Sequence, residues 1–168
     1  MGVGKKMIIG DGDIASILPE RPGFCFFASG VSNSGETRES EYQREKDMML
    51  LQDKKWHIVY FSSLGALDGD TRYYRHKKEM EELVKTFDTY TIVRIGNITW
   101  GKNPNTLINS MRLRLKKGEK LEIRDEYRYL ADKDEFLYWV KLLPEWSCEI
   151  SIPGKRMKIK DMVKEYVL

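Results

Sequence analysis

The chain has little of what marks several common protein classes. Cysteine occurs only twice, at Cys25 and Cys148, far apart and with no CxxC or Cys/His spacing. Neither a disulfide framework nor a zinc site is therefore expected, and a reducing cytoplasm is the natural compartment for two buried thiols. Histidine also occurs twice, at His57 and His76, and both read as structural or exposed rather than as ligands, so no metal is expected. Long apolar runs are lacking: the stretch 7–9 near the N-terminus is too short for a signal-peptide core or a membrane span, and no targeting is expected. Neither sign of charge dominates, since 29 Lys and Arg stand against 26 Asp and Glu for a net +3. That balance implies no long-range field toward nucleic acid or a membrane surface.

What remains is ordinary globular material. Hydrophobic residues make up 41% and charged residues 33% of 168 positions, too apolar for disorder and long enough to bury a core without covalent staples. One domain over 1–168 is expected. Residues 5–9 form a short apolar run that enters a glycine turn, and 24–29 (FCFFAS) are continuously apolar and bounded by glycines, as a strand buried on both faces would be. The spacing predicts a helix over 39–51, with Tyr42, Met48, Met49 and Leu51 on one side and Glu41, Arg44, Glu45 and Asp47 on the other. A strand over 56–61, a helix over 73–86 and a strand over 90–98 follow. Strands alternating with helices at this interval imply crossovers, and so an α/β fold with a parallel sheet flanked by helices. Beyond Gly101 the pattern predicts helices over 106–115, 134–143 and 159–167 and strands over 121–129 and 149–152. Pattern alone leaves open whether this tail completes the sheet or forms a second lobe.

Two constellations carry chemistry. Gly10, Gly12 and Ala15 form a G-x-G-x-x-A turn after a strand and before a helix. Such glycines let an anion approach a helix N-terminus, where unpaired N–H groups and the dipole favour it. The alternative is a simple turn, and Asp11 and Asp13 place negative charge where a phosphate would sit. The second is the serine pair Ser62 and Ser63 at a strand end, followed by Tyr73, Tyr74, Lys77 and Lys78 at the start of a helix. Residues four apart share a helix face, so Tyr73 with Lys77, or equally Tyr74 with Lys78, can converge on one spot. A neighbouring ammonium stabilises a phenolate, and a serine hydroxyl on the same substrate oxygen would complete a proton-transfer site.

The stretch YYRHKKEMEELV, residues 73–84, resembles the active-site helix of the extended short-chain dehydrogenase/reductase family, in which Y-x-x-x-K precedes an acidic, leucine-ended helix. In that alignment Tyr73 and Lys77 take the catalytic positions, because Glu79, Glu81 and Leu83 then match as well. IVYFSSLGALDG is similar to the family's serine-bearing strand end and puts the hydroxyl role on Ser63, with Ser62 as the fallback. FFASGVSNSGE resembles the strand end beside the cofactor, at Ala28, Ser29 and Gly30. VRIGNITWG resembles the segment that faces nicotinamide or substrate, at Asn97. RDEYRYLADKDEF and IPGKRMKIKDMVKEY are similar to the substrate-side segments of sugar-nucleotide epimerases.

The resemblance implies a Rossmann-like fold, with a nucleotide-binding core over 1–101 and a small C-terminal substrate-side segment over 102–168. It also implies NAD or NADP at Gly10, Gly12, Ala15, Ala28, Ser29, Gly30, Lys77 and Asn97, with a sugar nucleotide of the kind used in polysaccharide biosynthesis as partner. The activity implied is that of an epimerase, dehydratase or oxidoreductase. One departure stands out: two strands and a ribose-binding acidic residue of the family's adenosine half are missing between the glycine turn and FFAS. That opens the alternative of a non-catalytic or partner-dependent relic, and leaves a sheet edge that a second copy could pair with, a possible homodimer. A nucleic-acid or protein-binding module built on Trp56, Trp100, Trp139, Trp146 and the basic run 155–160 is disfavoured. The tryptophans fall in apolar patterns, and the run reads as a solvated face.

Overall fold

Runs with no polar alternation can lie buried on both faces of a sheet, and here they form the inner strands of a parallel one. The computed structural model describes residues 7–168. In chain order its strands are β1 (Met7–Ile9), β2 (Phe24–Phe27), β3 (His57–Ser63), β4 (Thr89–Ile95), β5 (Asn97–Ile98), β6 (Tyr127–Ala131), β7 (Cys148–Ile152) and β8 (Lys155–Lys158). The helices are α1 (Glu39–Leu50), α2 (Arg72–Val84), α3 (Leu107–Lys116), α4 (Lys133–Lys141) and α5 (Ile159–Met162). Strands β1-β2-β3-β4-β7 make a wholly parallel five-stranded sheet, and β5-β6-β8 a smaller mixed one. The fold is thus a Rossmann-like α/β sheet flanked by helices, with β1 as one edge.

Alternation along the strands sends side chains to two cores. Phe24, Phe26, Val59, Phe61 and Val93 meet Phe136 and Val140 of α4 on one face. Cys25, Phe27, Ile58, Tyr60 and Ile92 meet Met49 of α1 and Met80 and Val84 of α2 on the other. A third cluster, Ile108, Leu130, Met157, Ile159, Met162 and Val163, holds the small sheet to α3 and the C-terminal turn. Among the described residues no helix is long and apolar enough to cross a membrane, and no group of His, Cys, Asp and Glu could hold a metal ion.

Several expectations need correction. The strand expected over 5–9 is β1 from Met7, with Lys5 and Lys6 outside the described residues. The short helix expected after the glycine turn, stopping at Pro19, is present as a 3-10 turn, Ala15–Ile17, rather than as an α-helix. The strand expected over 90–98 breaks at Gly96, where an added Cβ would lie 2.4 Å from the Pro153 carbonyl oxygen; the chain steps there from the large sheet to the small one. The strand expected over 121–129 begins only at Tyr127, where β5 and β8 offer partners. The basic run 155–160 contains β8, whose Met157 points inward while Arg156 stacks 3.6 Å from the Tyr127 ring centroid. Both answers to the tail question hold in part, since β7 completes the large sheet and β6 and β8 build the small one. Cys148 is only partly buried, and Trp139 and Trp146 are exposed rather than core.

Gly154 turns β7 into β8 with a φ of 73°, and a Cβ there would sit 2.0 Å from the Leu130 carbonyl oxygen, whereas Gly118 has a φ of 75° and open space around it. Gly118→Ala should cost only the left-handed penalty of about 1 kcal/mol. Gly154→Ala adds a backbone collision and should cost about 2–4 kcal/mol. Urea denaturation of the two variants measures the difference, and equal losses would contradict the tight turn.

Candidate functional site

In a parallel sheet the carboxyl ends of the strands share one edge, and ligands of open α/β sheets bind there. The ends of β2 (Ala28, Ser29, Gly30), β3 (Ser62, Ser63) and β4 (Ile95, Gly96, Asn97) line a single cleft with Gly12 of the first turn and Tyr73 and Lys77 of α2. Its volume is about 650 Å³, and Asn103 to Ser110, ahead of and within α3, closes part of it. The structure therefore brings together Gly12, Ala28, Ser29, Gly30, Ser63, Tyr73, Lys77 and Asn97. It leaves Gly10 and Ala15 out of the lining.

The two Tyr/Lys pairs have different settings. Tyr74 packs against the loop of Gly65 and Gly69, where an added Cβ would lie 2.5 and 2.3 Å from its ring, and Lys78 Nζ donates to the Gly69 carbonyl at 2.8 Å on an exposed surface. Lys77 is buried and its Nζ lies 5.4 Å from the Tyr73 ring centroid. The serines divide as well. Buried Ser62 donates to Glu81 Oε1 at 2.6 Å, and Arg94 holds that carboxylate through Nη2 at 2.6 Å, so Ser62 is committed to the interior. Ser63 lines the cleft, and its Oγ accepts from the Gly65 N–H at 3.3 Å, capping the 3-10 turn that follows β3.

Beneath the cleft lies a polar cluster that sequence reasoning missed. Glu45 of α1 is wholly buried. Its carboxylate accepts from Tyr60 Oη at 2.8 Å and the Val31 N–H at 3.0 Å, and meets His76 Nε2 at 2.6 Å and Lys77 Nζ at 3.7 Å. Lys77 Nζ also donates to Tyr60 Oη at 3.2 Å. Burial alone would raise the Glu45 carboxyl, but Lys77, His76 and the Val31 N–H outweigh it and hold it at about 2. Burial would lower Lys77, yet the neighbouring Glu45 carboxylate and Tyr73 raise it. Burial pushes the Tyr73 phenol up; Lys77 pulls it down, Glu45 adds to the rise, and the net direction is upward. Grouping Glu45 with the charged side of its helix was wrong, and so was Leu51 on the apolar side, which is exposed. The available signal was spacing: Tyr42, Glu45 and Met49 stand at i, i+3 and i+7, one inward stripe.

The glycine turn departs from the anion-site expectation. Gly10 has a φ of 119° and a Cβ there would lie 2.5 Å from the Ala28 carbonyl oxygen, so it is needed for close approach of β1 to the end of β2. The turn opens into three 3-10 residues, too few to build a helix dipole. The Asp13 carboxylate accepts the Lys102 and Asn103 N–H groups at 2.8 and 2.9 Å, and Gly101 has no Cβ to collide with it, while Asp11 and Asp13 both line the cleft. Of the lining residues, Ala28, Ser29, Gly30, Tyr73 and Lys77 are those that could hold the nicotinamide half of a dinucleotide, while Asn97, also in the lining, has its Nδ2 donating to the Tyr129 carbonyl at 3.1 Å. Beyond β1 no strand among the described residues walls an adenosine half.

No protein-family model and no curated protein matches the chain. Solved structures do. A UDP-N-acetylglucosamine 4-epimerase from Methanobrevibacter ruminantium M1, in complex with UDP-N-acetylmuramic acid, is 15% identical with a TM-score of 0.66, over 92% of this chain and 62% of that one. The Bordetella bronchiseptica enzyme WbmG, in complex with NAD and UDP, is 18% identical with a TM-score of 0.62, over 87% and 56%. A UDP-glucose 4-epimerase from Thermotoga maritima, with UDP-glucose, is 16% identical with a TM-score of 0.60, over 86% and 60%. At these identities the likeness is one of fold, and the chain spans little more than half the length of these neighbours.

Because Glu45 is held at about 2 when folded against an ordinary value of 4.5, its contribution to stability is present above pH 4.5 and is lost as pH falls toward 2. Urea midpoints of the parent protein and Glu45→Gln should therefore differ most near neutral pH, with the parent the more stable, and draw together as pH falls from 4.5 to about 2. A gap that stays constant from pH 7 to 2 would contradict the depressed carboxyl.

Proposed function

We propose that the chain performs the proton-transfer and nicotinamide-binding part of an NAD(P)-dependent sugar-nucleotide epimerase, dehydratase or oxidoreductase reaction. The observation that carries this reading is that Ser63, Tyr73, Lys77 and Asn97, drawn from three separate segments, line one cleft at the strand ends. The fold likeness to enzymes seen with NAD and UDP-sugars supports the same reading.

In this reading Tyr73 moves a proton at the substrate hydroxyl, and Ser63 donates to the same oxygen and fixes its position. Lys77 stabilises the Tyr73 phenolate and would be the residue to hold the cofactor's ribose. Burial holds the Tyr73 phenol above its ordinary value against the pull of Lys77, so a further positive charge beside it is what would bring it into range. The nicotinamide, when bound, supplies that charge and carries the hydride. Ala28, Ser29 and Gly30 would hold the cofactor through their backbone, their small side chains leaving room for it, and Gly12 in the same lining would receive its phosphate part. Gly10 and Ala15 act instead by shaping the turn.

Fluorescence titration with NADH and NADPH should give micromolar binding of at least one. Tyr73→Phe should keep the fold and that binding while losing roughly 10²–10⁴-fold in turnover of a UDP-hexose, the range typical of a missing acid/base group. No binding at millimolar cofactor would reject this reading in favour of a relic of the fold. Undiminished turnover in the variant would remove Tyr73 from the chemistry.

A further inference from the structure

We infer that Glu45 is the built-in counter-ion of Lys77, a positioning residue that fixes the ammonium under the cleft and moderates how strongly it acts on Tyr73. The inference rests on the functional reading of Tyr73 and Lys77 and adds a residue to it from a different helix.

Three observations carry it. The Glu45 carboxylate is enclosed, 0% exposed, with an oxygen 3.7 Å from Lys77 Nζ, and Tyr60 bridges the two by accepting from Lys77 and donating to Glu45. A carboxylate taken this far from water persists only when its charge is met and its lone pairs are occupied. Here Lys77, His76, Tyr60 and the Val31 N–H do both. The end of β2 is shaped around the pair: a Cβ on Gly30 would come within 2.9 Å of both Glu45 Oε1 and Lys77 Nζ. The cleft-lining backbone at Gly30 and Val31 is therefore seated directly on this ion pair.

The other groups around the phenol and ammonium have partners of their own. From α2, His76 contacts Glu45, and Glu81 is bound by Ser62 and by Arg94 of β4. From α1, Tyr42 donates to the Glu36 carbonyl, and Arg44 lies against the Ser29 carbonyl. Tyr74 sits in the glycine loop. Glu45 is thus the anion that faces Lys77 at close range. In its absence the ammonium would act on Tyr73 alone, and the Tyr73/Lys77 pair would release its first proton more easily.

The test uses the whole chain without added cofactor, labelled at tyrosine ¹³Cζ, with Tyr73→Phe to assign the resonance. In Glu45→Gln the first deprotonation read at Tyr73 should move to lower pH by about one unit or more. An unmoved midpoint in a folded variant would overturn the counter-ion role, since a merely structural glutamate would leave it in place. Stability gives a second reading. Adding Lys77→Met to Glu45→Gln removes the stranded charge, so the double variant should have a higher urea midpoint than Glu45→Gln alone, or fold where the single variant does not. A double variant no more stable than the single one would also overturn the pairing. Neither readout needs cofactor, so a protein that bound no NADH would sink the functional reading while leaving this result interpretable.

Discussion

A sheet whose strands all run the same way must send every strand end to one edge and every return crossing over a face. That constraint organises this molecule. It delivers the small residues after β2, the serines after β3 and Asn97 after β4 to a common rim. It also requires both faces to be covered, which α1 and α2 do on one side and α4 on the other. Because α2 leaves the rim soon after β3, its first two turns carry Tyr73 and Lys77 into the same space as Ser63. The cleft is a consequence of the topology; its chemistry depends on which residues occupy the strand ends.

The second organising feature is polar. Between β3 and the α1/α2 layer, Tyr60, His76, Lys77 and Glu45 satisfy one another where an apolar core would otherwise run through. Removing one member of such a buried set costs more than the set itself contributes, because the remaining charge is left unpaired away from water. Among the described residues His76 Nδ1 has no hydrogen-bond partner, so the ring is held through Nε2 on Glu45. The arrangement ties the cleft-side backbone at Gly30 and Val31 to α1 and α2. Geometry at the site and packing in the core are therefore the same problem here.

Much of this was legible in the chain itself. Uninterrupted apolar runs announced β2 and β3, and their alternation with helical patterns announced the parallel sheet. Spacing along α2 offered two Tyr/Lys pairs that local pattern could not tell apart; both tyrosines line the cleft, and the lysines separate the pairs, Lys77 buried in the lining and Lys78 exposed on the Gly69 carbonyl. The buried role of Glu45 was hidden because a charged residue on a helix is normally solvated, and only the stripe through Tyr42 and Met49 argued otherwise. In the G-x-G-x-x-A turn the glycines divide, Gly10 serving the close packing of β1 and Gly12 lining the cleft, and the short helix that ends before Pro19 is one 3-10 turn. In the tail, β6 and β8 depend on each other for pairing, so neither could be placed from its own residues.

The central claim, that the strand-end cleft around Tyr73, Lys77 and Ser63 is where ligand binds, is tested most directly by mapping amide ¹H–¹⁵N shifts during titration with NAD⁺ and UDP-glucose. The account predicts saturable changes that cluster at residues 28–30, Ser63, Tyr73, Lys77 and Asn97, with the α4 surface around Tyr138 and Trp146 unaffected. Saturable changes confined to that outer surface, or none at millimolar ligand, would contradict it.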